Sequence, residues 1–266
     1  MYINSVGVSS YTIEEQVWYQ EIIGAIRARL YTNDRQGAIT AIKRAWQRVE
    51  ELQLTIAERE LITYILKWYE FTAALQSQSR QAACQIYQQV LEVFIQPAQT
   101  PPGEAQRCRM LACLRCNGRL YGCAQFSREE LIALIKDLPN LGRDEFLWHN
   151  IAGWAFAERD EEILRQAYEV LLTRPTHLLG QAKWQRVNIM LLLLTGRATE
   201  RDVEYTVNGM EVLPQIIEFR ELIWPECVRQ KLVNRHLVEK LKLIYKRIKL
   251  NPPVPELESH AKHILG

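Results

Sequence analysis

Four of the six cysteines fall within one short stretch, Cys108-x4-Cys113-x2-Cys116-x6-Cys123. Two thiolates at C-x2-C spacing can share one metal ion, but a structural zinc site needs four ligands in tetrahedral array. No second C-x2-C follows. Cys108, Cys123 or a distant histidine would have to complete the set. On a continuous helix Cys113 and Cys116 share a face, while Cys108 and Cys123 lie off it. The neighbours are mostly apolar, so the residues are better read as small buried side chains in a tight helix contact. A chain of 266 residues can bury a large core without disulfides. The cysteines are therefore expected to be reduced, and no metal or other cofactor is expected.

A second chemistry is written in arginine and histidine. Arg143 precedes His149 by six positions and Arg229 precedes His236 by seven. A histidine can move a proton at a ribose 2′-hydroxyl while an arginine supports the phosphate. The two segments resemble the Arg-x4-6-His motif of HEPN ribonucleases, which are all-helical. Asp144 follows Arg143, as that family often has it, whereas Gln230 follows Arg229. The resemblance implies Arg143 with His149, or Arg229 with His236, as catalytic pairs. Cys113-Leu-Arg-Cys116-Asn-Gly likewise resembles half of a zinc knuckle. His260 and His263 stand one helical turn apart, a metal-binding spacing without carboxylates beside it. Glycine-rich phosphate loops, G-x-S-x-G, H-E-x-x-H and EF-hand loops are all absent from the sequence.

The elements that must position these residues read as helices. Apolar residues recur at i, i+3, i+4 almost throughout, and period-2 alternation is scarce. Capping boxes mark helix starts at Thr12 with Glu15, Thr55 with Glu58, Ser127 with Glu130 and, more weakly, Thr199 with Asp202. Asp34 and Ser79 are plain N-cap candidates. These starts predict five helical pairs: 12–30 with 34–53, 55–75 with 79–95, 104–124 with 127–138, 144–158 with 160–173, and 178–194 with 199–212. Pro97, Pro139, Pro175 and Pro214, spaced 36 to 42 residues apart, follow the last four. A hairpin has an apolar face its own partner cannot cover, and stacking the next hairpin covers it. The expected fold is all-α: stacked antiparallel hairpins, an irregular α-solenoid. A long C-terminal helix is predicted over 226–250, closed by Asn251-Pro-Pro-Val-Pro255, with a short tail helix beyond. The domains expected are a hairpin-repeat domain over 1–214 and a helical cap over 215–266.

The hairpins resemble a degenerate tetratricopeptide array. Trp148, Ile151 and Ala152 match that family's W-x2-L-G start. Leu164, Tyr168 and Leu171 fall where that family places Ala, an aromatic and Ala in its second helix, and Ala83, Tyr87 and Val90 fit the same helix of the second pair. The resemblance implies a protein-binding groove along successive first helices, with Trp148, Lys183, Trp184 and Arg186 as contacts. Net charge is +2, so any bias toward acidic partners must be local. The predicted C-terminal helix supplies one through Arg229, Lys231, Arg235, Lys240, Lys242, Lys246, Arg247 and Lys249. Its apolar stripe can pack while this face meets phosphates, an anionic surface or an acidic partner. No apolar run reaches the length that spans a bilayer, and the N-terminus lacks signal-peptide character. The expected function is that of a cytoplasmic, non-catalytic scaffold, adaptor or assembly subunit that binds a protein partner. The alternative is a nucleic-acid-binding protein or HEPN-like ribonuclease.

Overall fold

The computed structural model describes residues 13–76, 80–138, 141–172, 178–210 and 213–247. Thr12, Ser79, Pro139, Pro175, Lys249, the stop at 251–255, His260 and His263 lie outside them. The described residues are helical, neighbouring helices are packed, and there is no strand among them. In chain order the helices are α1 (Ile13–Tyr31), α2 (Arg35–Glu51), α3 (Ile56–Leu75), α4 (Arg80–Phe94), α5 (Pro101–Leu120), α6 (Arg128–Ile135), α7 (Glu145–Glu158), α8 (Glu161–Leu172), α9 (Leu178–Leu194), α10 (Glu200–Asn208), α11 (Leu213–Glu218), α12 (Trp224–Arg229) and α13 (Arg235–Arg247). A 3₁₀ turn, Leu141–Arg143, precedes α7, and a π-helical segment, Phe219–Ile223, joins α11 to α12. The chain divides between Trp154 and Ala155 into two compact units.

Side chains start these helices as the sequence predicts. Thr55, Ser127 and Thr199 each close a reciprocal capping box with the residue three positions on. Asp34 Oδ1 accepts from the Gly37 N–H at 2.9 Å. Each cap satisfies backbone donors that a helix start leaves without partners. The start of α5 differs from the prediction. It begins at Pro101, not Glu104, because Thr100 is the cap and proline is pre-organised for the first helical position. Its end comes early too: Gly122 adopts φ +66° and the Cys123 N–H returns to the Gly118 carbonyl at 2.7 Å.

The first unit packs α3 against α2, α4 and α5, and α5 against α4 and α6. Tyr64, Phe71, Tyr87 and Phe94 form edge-on ring contacts between α3 and α4. Gly118 lets α5 close on α4, since a Cβ there would lie 2.2 Å from the Tyr87 ring. Carboxylates secure the turn from α4 into α5. Glu60 accepts from the Gln99 and Thr100 N–H groups and the Thr100 hydroxyl. Glu104 accepts from the Ala98 N–H at 3.0 Å and from Arg107 Nε at 2.7 Å, and Arg107 reaches the Phe94 carbonyl.

Glu104 supplies an acid-sensitive contribution to stability. Its hydrogen bond from Arg107, the larger cause, and the Ala98 N–H hold its pKa at about 2, below the ordinary 4.5. A lowered folded-state pKa stabilises above the unfolded value, and that stability drains as pH falls from about 4.5 through about 2. The side chain is 43% exposed, so solvent screening reduces the full linkage value to about 1 kcal/mol. Glu104→Gln should narrow the stability loss over that pH range in urea titrations. Parallel curves for variant and parent would remove Glu104 as the cause.

In the second unit α8 packs on α9, α9 on α10 and the π segment, and α10 on α13. The long helix expected over 226–250 is not formed. The helical path enters earlier, at Leu213, and passes through Pro225 by way of the π segment, in which the Trp224 N–H reaches back five residues to the Phe219 carbonyl. Proline has no N–H for the regular ladder and crowds the preceding turn, which the wider π turn relieves. The path stops at Arg229. Lys231 takes φ +59°, and the Leu232 N–H closes on the Cys227 carbonyl at 2.9 Å. Asn234 then caps α13 through the Leu237 N–H. Arg229 and Lys231 therefore do not share a helix with the later cations.

Candidate functional site

The cysteines resolve first. Cys84 and Cys123 form a disulfide with Cα atoms 4.9 Å apart, which corrects the expectation that all six are reduced. Helices α4 and α5 run antiparallel, so the second turn of α4 meets the residues just past α5; Arg80 also donates to the Gly122 carbonyl there. Bonded to Cys84, Cys123 cannot join Cys108, Cys113 and Cys116 around a metal. Cys113 and Cys116 are fully buried, and burial pushes both thiols well above their ordinary range, away from the thiolate a metal needs. Cys227 is raised to about 12 by the same cause. Among the described residues no three His, Cys, Asp or Glu side chains are placed to hold a metal ion.

The two Arg–His pairs differ in their surroundings. Arg143 is exposed in the 3₁₀ turn and His149 is half-buried on α7. Asp144, the polar residue between them, is committed elsewhere. Its two carboxylate oxygens accept from Arg109 Nε and, at 2.8 Å, from Arg109 Nη2, and it caps α7 by accepting from the Leu147 N–H. Arg109 also lies over the Phe146 ring, 5.1 Å from its centre. In the second unit Arg229 pairs with Glu226 on its own helix, and His236 Nε2 lies 3.2 Å from Glu204 on α10.

The expected groove contacts are largely internal. Trp148 is 5% exposed and donates its indole N–H to the Leu141 carbonyl at 2.7 Å, closing the turn before α7. Arg186 is also 5% exposed and forms an ion pair with Glu218 at 2.7 Å, joining α9 to α11. Trp184 is half-buried against Tyr168, ring centres 6.0 Å apart. Lys183 is half-buried on the same helix. Trp148 belongs to the first unit and the other three to the second.

The largest group of predicted cations on one helix is that of α13. Leu237, Val238, Leu241 and Tyr245 are buried. The other side carries Arg235, Lys240, Lys242, Lys246 and Arg247 against a single carboxylate, Glu239, which pairs with Lys242 at 3.2 Å. Leu243 sits among them at 68% exposure. Helix α13 is held on α10 by Asn234 with Glu200, His236 with Glu204, and Arg247 with the Met210 carbonyl. These links run in the same order along both helices, which are therefore parallel. A fixed helix that buries its apolar stripe and turns cations and one leucine to solvent is equipped to bind a surface of opposite charge. The sequence marked these cations but not Leu243, which its periodicity left between the stripe and the charged face.

Comparison with family models, curated proteins and solved structures returns no match.

Proposed function

We propose that the chain is a non-catalytic interaction module, an adaptor or assembly subunit that binds a protein partner through outward helix faces. The observation that supports this reading is the outer face of α13, where five cations surround one exposed leucine. Binding surfaces combine an apolar anchor with a charged rim that steers and orients the partner. The tetratricopeptide-like stacking belongs to the same proposal: α3, α4 and α5 each pack on the other two, as successive helices of a repeat stack would. The buried roles of Trp148 and Arg186 shift the proposed contacts from the groove to α13.

The test is purification of the tagged full chain from its own cells at low salt, comparing parent with Lys240→Glu/Lys246→Glu. An identified partner in stoichiometric amount, lost in the variant, is the expected result. Nucleic acid retained instead, and released at high salt, would replace the reading with the nucleic-acid alternative. RNA cleavage abolished by His149→Ala would replace it with the ribonuclease.

A further inference from the structure

The geometry points to a second copy of this chain as the occupant of the α13 face, through the outer face of its α8. This rests on the interaction-module reading and names the partner. Helix α8 buries Ile163, Leu164, Ala167 and Leu171. It turns Glu161, Glu162, Arg165, Gln166 and Glu169 outward along a shallow groove of about 420 Å³. Leu172 ends this face at 45% exposure.

The two faces mirror each other. Helix α13 offers five cations and one carboxylate; α8 offers three carboxylates and one cation, Arg165. Each carries one exposed leucine. With 13 and 12 residues the helices are about 20 and 18 Å long, so one can lie along the other. Both belong to the second unit.

Other occupants fit less well. A helix that inserts into a membrane must present its apolar stripe to lipid, and the stripe of α13 is buried. A phosphate backbone is uniformly anionic and would meet Glu239 on the face itself, with Glu200 and Glu204 flanking it on α10. An α8 face can place Arg165, which pairs with Glu161 on its own helix, beside Glu239, and its carboxylates against the lysines.

Because α13 of one copy meets α8 of the next, two copies can exchange both contacts about a two-fold axis, or copies can add head-to-tail into a ring or an open chain. One helix on one helix is a small interface, so self-association is expected at ~10–100 μM chain and should weaken as salt screens the charges.

Sedimentation of the full chain tests this. At about 50 mM salt the weight-average mass should climb above 31.1 kDa with concentration, and at about 500 mM it should return to that value. Lys240→Glu/Lys246→Glu and Glu162→Lys/Glu169→Lys should each sediment as monomers at low salt. An equimolar mixture of the two should associate again, because each reversed face then meets a complement. Leu243→Ser should weaken association with every charge intact. A parent that stays monomeric at low salt, reversals without effect, or a mixture that stays monomeric would each overturn the proposal. Loss of a different, identified partner on reversing α13, with the parent monomeric, would refute self-association and leave the interaction-module reading standing.

Discussion

Arg186→Met is expected to destabilise the second unit by about 3–5 kcal/mol. Arg186 and Glu218 have side chains only 7% and 15% exposed, with Nε and Oε2 2.7 Å apart. Burying two charges costs solvation that their attraction offsets only while both are present. Remove the guanidinium and Glu218 keeps its charge near α9 without this buried counter-charge. Glu218→Leu should be costly for the same reason, while Arg186→Met/Glu218→Leu should recover most of the loss, because no buried charge remains. Hydrogen exchange of α9 and α11 amides reads the effect in the right unit without assuming that the whole chain unfolds in one step. A double variant as unstable as the two single losses added together would show that the two residues are not coupled. The same substitution separates two roles for Arg186. A surface contact for a partner would lose binding and keep stability, whereas the ion pair loses stability first.

Arg186 also illustrates what the sequence could and could not convey. Helices were legible because their signals are local: Thr55 with Glu58 or Ser127 with Glu130 fixes a start within four residues. The break between α12 and α13 was legible in principle, since Asn234 is a capping residue. It was overridden by the apolar stripe of Leu232, Val233, Leu237 and Leu241, which continues the helical spacing across it. Pro225 misled in the opposite direction, because a π turn carries the helix through it. The partners of charged residues were not legible. Arg109 finds Asp144 35 positions away, Arg186 on α9 finds Glu218 on α11, and His236 finds Glu204. Charge on a helix states what a side chain can do, and tertiary packing decides whether its partner lies inside the protein or outside it. The α13 cations are the exception. The buried stripe fixes which side of the helix they face, and among the described residues Arg235, Lys240 and Lys246 have no ion-pair partner.

Reduction of the Cys84–Cys123 bond, or Cys84→Ser/Cys123→Ser, should produce the other large effect, this time in the first unit. The bond spans a sequence separation of 39. In the chain-entropy account a loop of that size restricts the unfolded ensemble by about 4 kcal/mol. For a unit of this length the loss corresponds to a fall in Tm of about 10 °C. It should be concentrated where the bond acts, in the first turns of α4 and the last turn of α5, so amide protection there should drop before that of the α3 core around Phe71. The remaining thiols give an independent readout. Cys113, Cys116 and Cys227 are buried and Cys108 is half-buried, so a thiol reagent should find at most Cys108 in the native oxidised chain. Reduction should add Cys84 and Cys123, both of them partly exposed. Disulfides persist in oxidising compartments and are rare in the cytosol. The bond therefore opposes the cytoplasmic location expected from the sequence, and counting thiols in protein taken from its own cells decides between them. Six thiols after denaturation without reductant, together with an unfolding curve that reductant leaves unmoved, would mean that α4 and α5 are held by packing alone: by Tyr87 on Gly118 and by the hydrogen bond from Arg80 to the Gly122 carbonyl.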